Sequence, residues 1–202
     1  MTTEKSRPRG RPRRFDPDAA VATVQQLFHA RGYDAVSVAD VTEALGINPP
    51  SFYAAFGNKA GLYGRVLDRY ATTEAIPLAD ILRPDRSVAV SLAALLEEAA
   101  RRYTSDHGAA GCLVLEGTRC NDYEAREAAR VFSRAAEGVI RDYIASRHPS
   151  EAERVMDFVS TTMCGLSAKA RDGHSLDQLL ATARLAGLAL AQALSPTARA
   201  PD

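Results

Sequence analysis

Several side chains near residue 50 can donate hydrogen bonds. Their spacing indicates that they lie on one short helix and at the start of the next. Phe52 and Phe56 lie four residues apart and therefore share one helical face, which we expect to be buried. Ser51 and Tyr53 then lie on other faces, and Lys59 follows in the first turn of the next helix. A lysine there opposes the helix dipole, a cost that an anionic partner such as a phosphate would explain. These residue types predict contact with nucleic acid.

The beginning of the chain is strongly basic, although the whole sequence has a net charge of zero. Residues 1–14 hold one acidic residue and the basic residues Lys5, Arg7, Arg9, Arg11, Arg13 and Arg14. Proline, glycine and like charge keep such a segment from folding alone, so we predict a disordered arm over residues 1–14. The arm either only keeps the protein in solution or adds salt-dependent affinity for phosphates. The neighbouring helices favour the second interpretation.

The elements that position these side chains are predicted from their caps. A first helix is predicted from Asp16 to Gly32, and its apolar face is the surface against which the two short helices pack. Ser37 opens a short helix with Asp40 three residues later, as in a capping box, and Gly46 supplies the left-handed turn that ends it. Asn48 and two prolines begin the second short helix, because the first amides of a helix have no intrahelical partner. This order is that of a helix-turn-helix, whose second helix enters the DNA major groove.

One ordered pattern runs through the two short helices: Gly46, Ile47, Ser51, Tyr53, Phe56 and Lys59. On this pattern the segment from about Gly10 to Tyr70 resembles the DNA-binding domain of the TetR family of bacterial repressors. The resemblance implies a DNA-binding domain over residues 15–70 and a ligand-binding and dimerisation domain over residues 71–202. Helical spacing of apolar residues, with many Ala and Leu, independently predicts an all-α fold.

The resemblance also implies individual DNA contacts. Ser37 and Thr42 would lie near the DNA backbone, the two prolines and Ser51 near base edges, and Tyr53 and Lys59 on phosphates. Many members have His or Tyr after the conserved tyrosine, where this chain has alanines, so we expect weaker phosphate contacts there and compensation by the arginine arm. The predicted DNA-binding residues are Arg9, Arg11, Arg13, Arg14, Ser37, Thr42, Pro49, Pro50, Ser51, Tyr53 and Lys59.

Further helices are predicted over residues 59–75, 87–106, 122–147, 150–171 and 175–194. The resemblance implies that the last two pair with their copies in a four-helix interface. Each of these two helices has an apolar surface wider than one neighbouring helix can cover, which favours a homodimer. Part of that apolar surface would instead pack in the intramolecular core. Two-fold symmetry then predicts a pseudo-palindromic operator. The predicted interface residues are Val155, Phe158, Val159, Thr162, Leu185 and Leu188.

An effector pocket is expected among the helices between the DNA-binding unit and the dimer face. Its predicted lining residues are Tyr103, Cys112, Glu116, Phe132 and Met163, with Tyr70 as a further candidate. The Gly-Cys entry to a short apolar helix at Cys112 resembles a subgroup in which some members sense electrophiles, oxidants or metals. Proximity to Arg119 or to a helix N-terminus would lower the pKa of the thiol and make it reactive. The alternatives are a small buried hydrophobe, or a metal site with Cys120 and His107 whose spacing matches no standard ligand pattern.

Other classes of protein are excluded or disfavoured. The four histidines are scattered, and the chain has no nucleophile-elbow, phosphate-loop or zinc-protease motif, so we expect no enzyme, cofactor or metal. It has no apolar run of about 18 residues and no hydrophobic leader, which predicts a cytoplasmic protein without a membrane partner. Three cysteines argue against a disulfide framework. We therefore expect a repressor released from its operator by a small-molecule or thiol-reactive effector, or else a constitutive DNA-binding protein.

Overall fold

The computed structural model describes residues 17–106 and 108–195, and within these ranges the fold is all-α as predicted. The helices are α1 (Pro17–Arg31), α2 (Val38–Leu45), α3 (Pro49–Phe56), α4 (Lys59–Thr73), α5 (Leu78–Ile81), α6 (Val88–Tyr103), α7 (Leu113–Gly117), α8 (Tyr123–Ala145), α9 (Ala152–Arg171) and α10 (Leu176–Ala193). The predicted arm, with Arg9, Arg11, Arg13 and Arg14, lies outside the described residues, as do Asp16 and His107.

The first four helices share one apolar core. Phe28 of α1, Phe52 of α3 and Tyr63 of α4 are fully buried, and the Phe28 and Tyr63 rings meet edge to face with centroids 5.1 Å apart. Each such aromatic contact adds about 1 kcal/mol to the burial of apolar area. The core continues into the C-terminal half, because Leu113 of α7 and Ala125 of α8 belong to it.

A second core fills the C-terminal half of the chain. It is formed mainly by α6, α9 and α10, with Leu92, Leu95 and Leu190 at its centre and fully or almost fully buried. Cys112 packs against both cores, so the start of α7 lies where the two halves of the molecule meet.

The predicted helix positions hold for the long helices, and their ends differ for local reasons. α6 stops at Tyr103 instead of residue 106, because the Thr104 hydroxyl turns back and donates to the carbonyl of Ala100 at 2.9 Å. The four-residue α5 was not anticipated, since so short an element leaves no periodic pattern. None of the helices in the described part of the chain has the length and apolar character that crossing a membrane requires.

Candidate DNA-binding surface and effector cavity

The caps of α2 and α3 set the geometry of the helix-turn-helix. The Ser37 hydroxyl accepts from the Asp40 amide at 3.1 Å and the Asp40 carboxylate accepts from the Ser37 amide at 2.7 Å, so the predicted capping box is confirmed. Hydrogen bonds that the Ser37 hydroxyl, the Ser37 amide and Arg31 donate to the Asp40 carboxylate hold the pKa of Asp40 well below its usual range. Gly46 has a φ of +63° and ends α2, and Asn48 Oδ1 accepts from the Ser51 amide at 2.9 Å to begin α3.

The outward surface of α3 is polar but uncharged. Phe52 and Phe56 point into the core, which leaves Pro49, Pro50 and Ser51 exposed at the N-terminal end. Tyr53, 53% exposed, lies beside them. This surface offers hydroxyl groups for hydrogen bonds and proline rings for contact with thymine methyl groups.

Lys59 has a structural role that the sequence did not indicate. Its ammonium donates to the carbonyls of Tyr33 at 3.1 Å and Val36 at 2.8 Å, and it lies 3.9 Å from the centroid of the Tyr33 ring. It therefore holds the loop between α1 and α2 against the start of α4. One of its three N–H groups remains for a phosphate.

Two predicted backbone contacts at α2 have different surroundings. Ser37 is exposed, but its hydroxyl is committed to Asp40. Thr42 is buried, and its hydroxyl donates to the carbonyl of Ala39 at 3.0 Å. Thr42 therefore stabilises α2 from within, and this placement does not support the predicted contact of its side chain with DNA.

The exposed sides of α9 and α10 form an apolar surface, here called the dimer face, made of Phe158, Thr162, Leu185 and Leu188. Leu185 and Leu188 are 69% and 70% exposed, Phe158 is also exposed, and Thr162 is half-buried. The prediction was wrong for Val155 and Val159, which are buried in the intramolecular core. Both helices are apolar on two sides, and the spacing alone does not say which side faces inward.

A largely apolar cavity of about 400 Å³ lies among α4, α6, α7, α8 and α9. Four predicted residues line it, together with Tyr70: these are Tyr103, Cys112, Phe132 and Met163. Exposed Val139 of α8 also lines the cavity, so the opening lies along this helix. Glu116 was predicted wrongly, because it is not among the lining residues and its carboxylate lies 3.7 Å from Arg171 Nε.

Cys112 presents its thiol to this apolar cavity. The Tyr70 hydroxyl donates to Cys112 Sγ at 3.7 Å, and the Cys112 amide donates to the Ser167 hydroxyl at 2.9 Å. Burial raises the pKa of the Cys112 thiol, and neither Arg119 nor the start of α7 reverses this effect. The raised pKa disfavours the low-pKa thiolate among the alternatives above and favours a neutral thiol at Cys112.

A set of polar contacts, here called the junction, joins α1 to the C-terminal half. Arg171 of α9 donates to the carbonyls of His29 at 3.0 Å and Ala110 at 3.1 Å. The His29 ring bonds through Nε2 to the carbonyl of Gly111 at 3.1 Å, and its ring packs edge-on against Tyr70 with centroids 5.5 Å apart. These residues were missed. The sequence does contain one indication of this contact. Gln25 and His29 are polar residues at positions on the buried face of α1 that are otherwise apolar.

No group of three or more potential metal ligands comes together in the described ranges of the chain. Cys120 is buried, and its Sγ lies 3.5 Å from the carbonyl oxygen of Asp122. It thus belongs to the turn that precedes α8.

These features define a helix-turn-helix transcriptional regulator whose C-terminal half is also helical. Residues 21–66 match the sequence model described as bacterial regulatory proteins, tetR family. The chain is 60% identical over 190 residues to the HTH-type transcriptional repressor BdcR of Escherichia coli strain K12, with 94% of this chain and 96% of the relative covered. It is 33% identical over 183 residues to the repressor ComR of the same organism, with 85% and 87% covered. The chain therefore belongs to the TetR family and is a DNA-binding transcriptional regulator.

Solved structures support the same assignment. A cysteine mutant of the TetR family regulator CifR, complexed with 26-bp double-strand operator DNA, aligns with a TM-score of 0.78 and 34% identity. The alignment covers 89% of this chain and 99% of that one. The reduced form of NemR from E. coli aligns with a TM-score of 0.64 at 16% identity, which shows a shared fold.

Proposed function

We propose that this protein is a homodimeric repressor that leaves a pseudo-palindromic operator when a small apolar molecule occupies the cavity beside Cys112. One observation carries the proposal: Tyr70 belongs to both the cavity and the DNA-binding unit. Its hydroxyl faces Cys112 in the cavity, and its ring packs on His29 of α1. A molecule that displaces Tyr70 therefore acts directly on a helix of the DNA-binding unit.

Operator recognition would use the uncharged surface of α3. Pro49, Pro50 and Ser51 would meet base edges, while Tyr53 and the remaining N–H group of Lys59 would meet phosphates. The similar regulator CifR, in complex with 26-bp operator DNA, supports operator binding by this chain. The arginines before residue 15 would add salt-dependent affinity.

Dimerisation would bury the dimer face against a second copy. Leu185 and Leu188 expose about two thirds of their surface, and burying such side chains yields about 2 kcal/mol each. An isologous interface doubles every contact. A dimer then requires both α3 helices to fit their half-sites at once, so a small rotation lowers affinity at both sites.

The effector that suits the cavity is small and mostly apolar. A volume of about 400 Å³ lies in the range of ordinary small-molecule sites. Because Cys112 rests as a neutral thiol, reversible occupancy is the primary signal. A thiol-reactive compound would act by the same route once it had entered and modified Cys112. A constitutive DNA-binding protein is disfavoured, since it would have no use for such a cavity.

The test is operator release with and without Cys112. Fluorescence anisotropy with DNA from upstream of the gene, at moderate salt, should show preference over random DNA of the same length. N-phenyl-1-naphthylamine, a neutral apolar fluorophore, should bind at the cavity and lower operator affinity in both wild type and Cys112→Ser. N-ethylmaleimide should release wild type but not Cys112→Ser. Equal affinity for random DNA would refute the repressor, and release by neither compound would refute the effector mechanism.

A further inference from the structure

A second cavity, here called the polar cavity, lies between α1, the C-terminal end of α4 and the loop before α7. Its volume is about 250 Å³. Tyr70, Glu74 and Arg102 line both cavities, but the polar cavity is also lined by His29 and Asp106 and has few apolar walls. Nothing in the effector mechanism above uses it.

The hydrogen bonding of His29 fixes what its ring offers to this cavity. A carbonyl oxygen only accepts, so the 3.1 Å bond to Gly111 places the ring proton on Nε2. Nδ1 then carries a lone pair, and it is buried with no hydrogen-bond partner in the described ranges. His29 is 6% exposed. Burial also lowers the pKa of His29, so the ring is neutral near pH 7. A buried acceptor without a donor is costly unless something supplies the proton.

The Glu74 carboxylate provides a second acceptor, which faces the same space as His29 Nδ1. One carboxylate oxygen accepts from Gln25 Nε2 at 2.6 Å, while the other lies 4.0 Å from His29 Nδ1. The 4.0 Å separation is too long for a direct hydrogen bond. A single donor atom placed between the two acceptors can reach both of them. Two hydrogen bonds of about 2.8 Å that meet at this atom at roughly a right angle span the 4.0 Å separation. A group with two N–H donors therefore fits between His29 Nδ1 and the Glu74 carboxylate.

The charges around the polar cavity favour a cation. Glu74 and Asp106 line it with carboxylates, and the lining cation, Arg102, is already committed. The Arg102 guanidinium pairs with Glu98 at 2.7 Å and donates to the carbonyls of Glu74 and Ala75. Arg171, which contacts His29 from α9, is offset by Glu116 at 3.7 Å. An anion would meet two carboxylates without a free cation, whereas an ammonium would meet acceptors on two sides.

We propose that the polar cavity is a binding site for a protonated primary amine, whose N–H groups are donated to His29 Nδ1 and to the Glu74 carboxylate. The site lies beside the apolar effector cavity, with which it shares lining residues, and its occupant would bridge α1 to the end of α4. The head of a longer molecule and a small free amine present the same ammonium to this site, and a series of n-alkylamines of increasing length distinguishes the two. Water is the competing occupant of the same acceptors.

The test uses the intact protein and three probes of similar size: n-butylamine, n-butanol and tetramethylammonium. The ring signals of the four histidines are followed by NMR, with the His29 signal assigned from His29→Gln. At neutral pH we expect n-butylamine to shift the His29 signal saturably, with an affinity about tenfold above that of either other probe. Tetramethylammonium carries the charge without N–H donors, so it separates charge from hydrogen bonding. Tighter binding of longer n-alkylamines would identify the head of a larger molecule, and equal binding a free amine.

Variants decide whether the named acceptors hold the amine. Glu74→Gln should weaken n-butylamine binding about tenfold, and Asp106→Asn should weaken it less. Glu137→Gln is the matched control, because Glu137 lines only the apolar cavity, and it should leave the affinity unchanged. Thermal melting shows whether Glu74→Gln is folded. If it is not, the weaker binding of n-butylamine to Asp106→Asn is the measurement that tests the proposal. No saturable shift, or the same affinity in Glu74→Gln and wild type, would leave water as the occupant and overturn the proposal. Because the assay contains no DNA, this result does not depend on the proposed repressor function.

Discussion

Arg171 and His29 are 142 residues apart in sequence and are joined by a hydrogen bond of 3.0 Å from the guanidinium to the backbone carbonyl. The contact links the last turn of α9 to α1. Since α9 also carries Phe158 of the dimer face, one rigid helix touches both the proposed partner surface and the DNA-binding unit. This contact is a structural link between the two places that does not pass through α4.

Replacing Arg171 with alanine should destabilise the fold. Two carbonyls, those of His29 and Ala110, lose a charged donor, and hydrogen bonds to charged groups contribute about 2 kcal/mol each. We expect the free energy of unfolding in urea to fall by about 4 kcal/mol. Glu116→Gln removes only the longer pair at 3.7 Å and should cost under about 0.5 kcal/mol. Equal losses in the two variants would contradict the role given to Arg171.

Replacing Leu188 with glutamate should break the dimer. Leu188 is 70% exposed in the single chain, so the charge is tolerated by the folded protomer but not by an apolar interface. Light scattering after size exclusion should give a dimer for wild type and a monomer for Leu188→Glu, with operator binding lost. Val131→Glu introduces the same charge at a 57% exposed position on α8. If the Val131 variant alone became monomeric, the interface would lie on α8.

Replacing Tyr53 with alanine should weaken operator binding without affecting the fold. The side chain is 53% exposed on α3, and each dimer would lose two phosphate contacts of about 1 kcal/mol. We expect a loss of about tenfold to thirtyfold in affinity by anisotropy, with a thermal melt lowered only slightly by the loss of the edge contact with the Phe52 ring. Tyr123→Ala, at a 72% exposed tyrosine on α8, serves as the control. A comparable loss in both variants would argue against α3 as the contact surface.

Replacing Lys59 with methionine should lower stability even without DNA. The ammonium donates to the carbonyls of Tyr33 and Val36, and removing it strands two acceptors in a partly buried loop. We expect a loss of about 2 kcal/mol in the free energy of unfolding. A phosphate-only role would instead lower operator affinity and leave the melt of the free protein unchanged.

Alkylation of Cys112 should be slow at neutral pH and accelerate at alkaline pH. Burial raises the pKa of this thiol, so the reactive thiolate appears only above the pH at which an exposed cysteine ionises. Iodoacetamide labelling followed by mass spectrometry in a Cys120→Ser/Cys164→Ser background isolates the reaction. Tyr70→Phe removes the hydroxyl that donates to Cys112 Sγ and should slow labelling further. A labelling rate of Cys112 that is already maximal at neutral pH would instead support a thiol of low pKa that senses reactive compounds.

The parts of the molecule that sequence predicted well are held by local contacts. The Ser37–Asp40 capping box, the turn at Gly46 and the Asn48 cap each join residues no more than five positions apart, so their geometry follows from the residue types. The buried pair Phe52 and Phe56 follows from helical spacing in the same way.

The errors arise where tertiary packing chooses between equivalent patterns. Val155 and Val159 share an apolar helix with Phe158, and only the position of the neighbouring helices decides which of them faces inward. Glu116 pairs with Arg171, 55 positions away, which no local pattern reports. The junction was missed for the same reason, because its contacts cross between the two halves of the chain.

None of the eight residues of α3 carries a charge. Electrostatic attraction of charged side chains to DNA must therefore come from groups outside the helix that we propose reads the bases, and it acts on any sequence. Substituting Pro49, Pro50 and Ser51 should thus redirect the protein to new operators while keeping its general affinity and its effector response. A small library at these three positions would yield mutually orthogonal switches for synthetic gene circuits, all responding to one inducer.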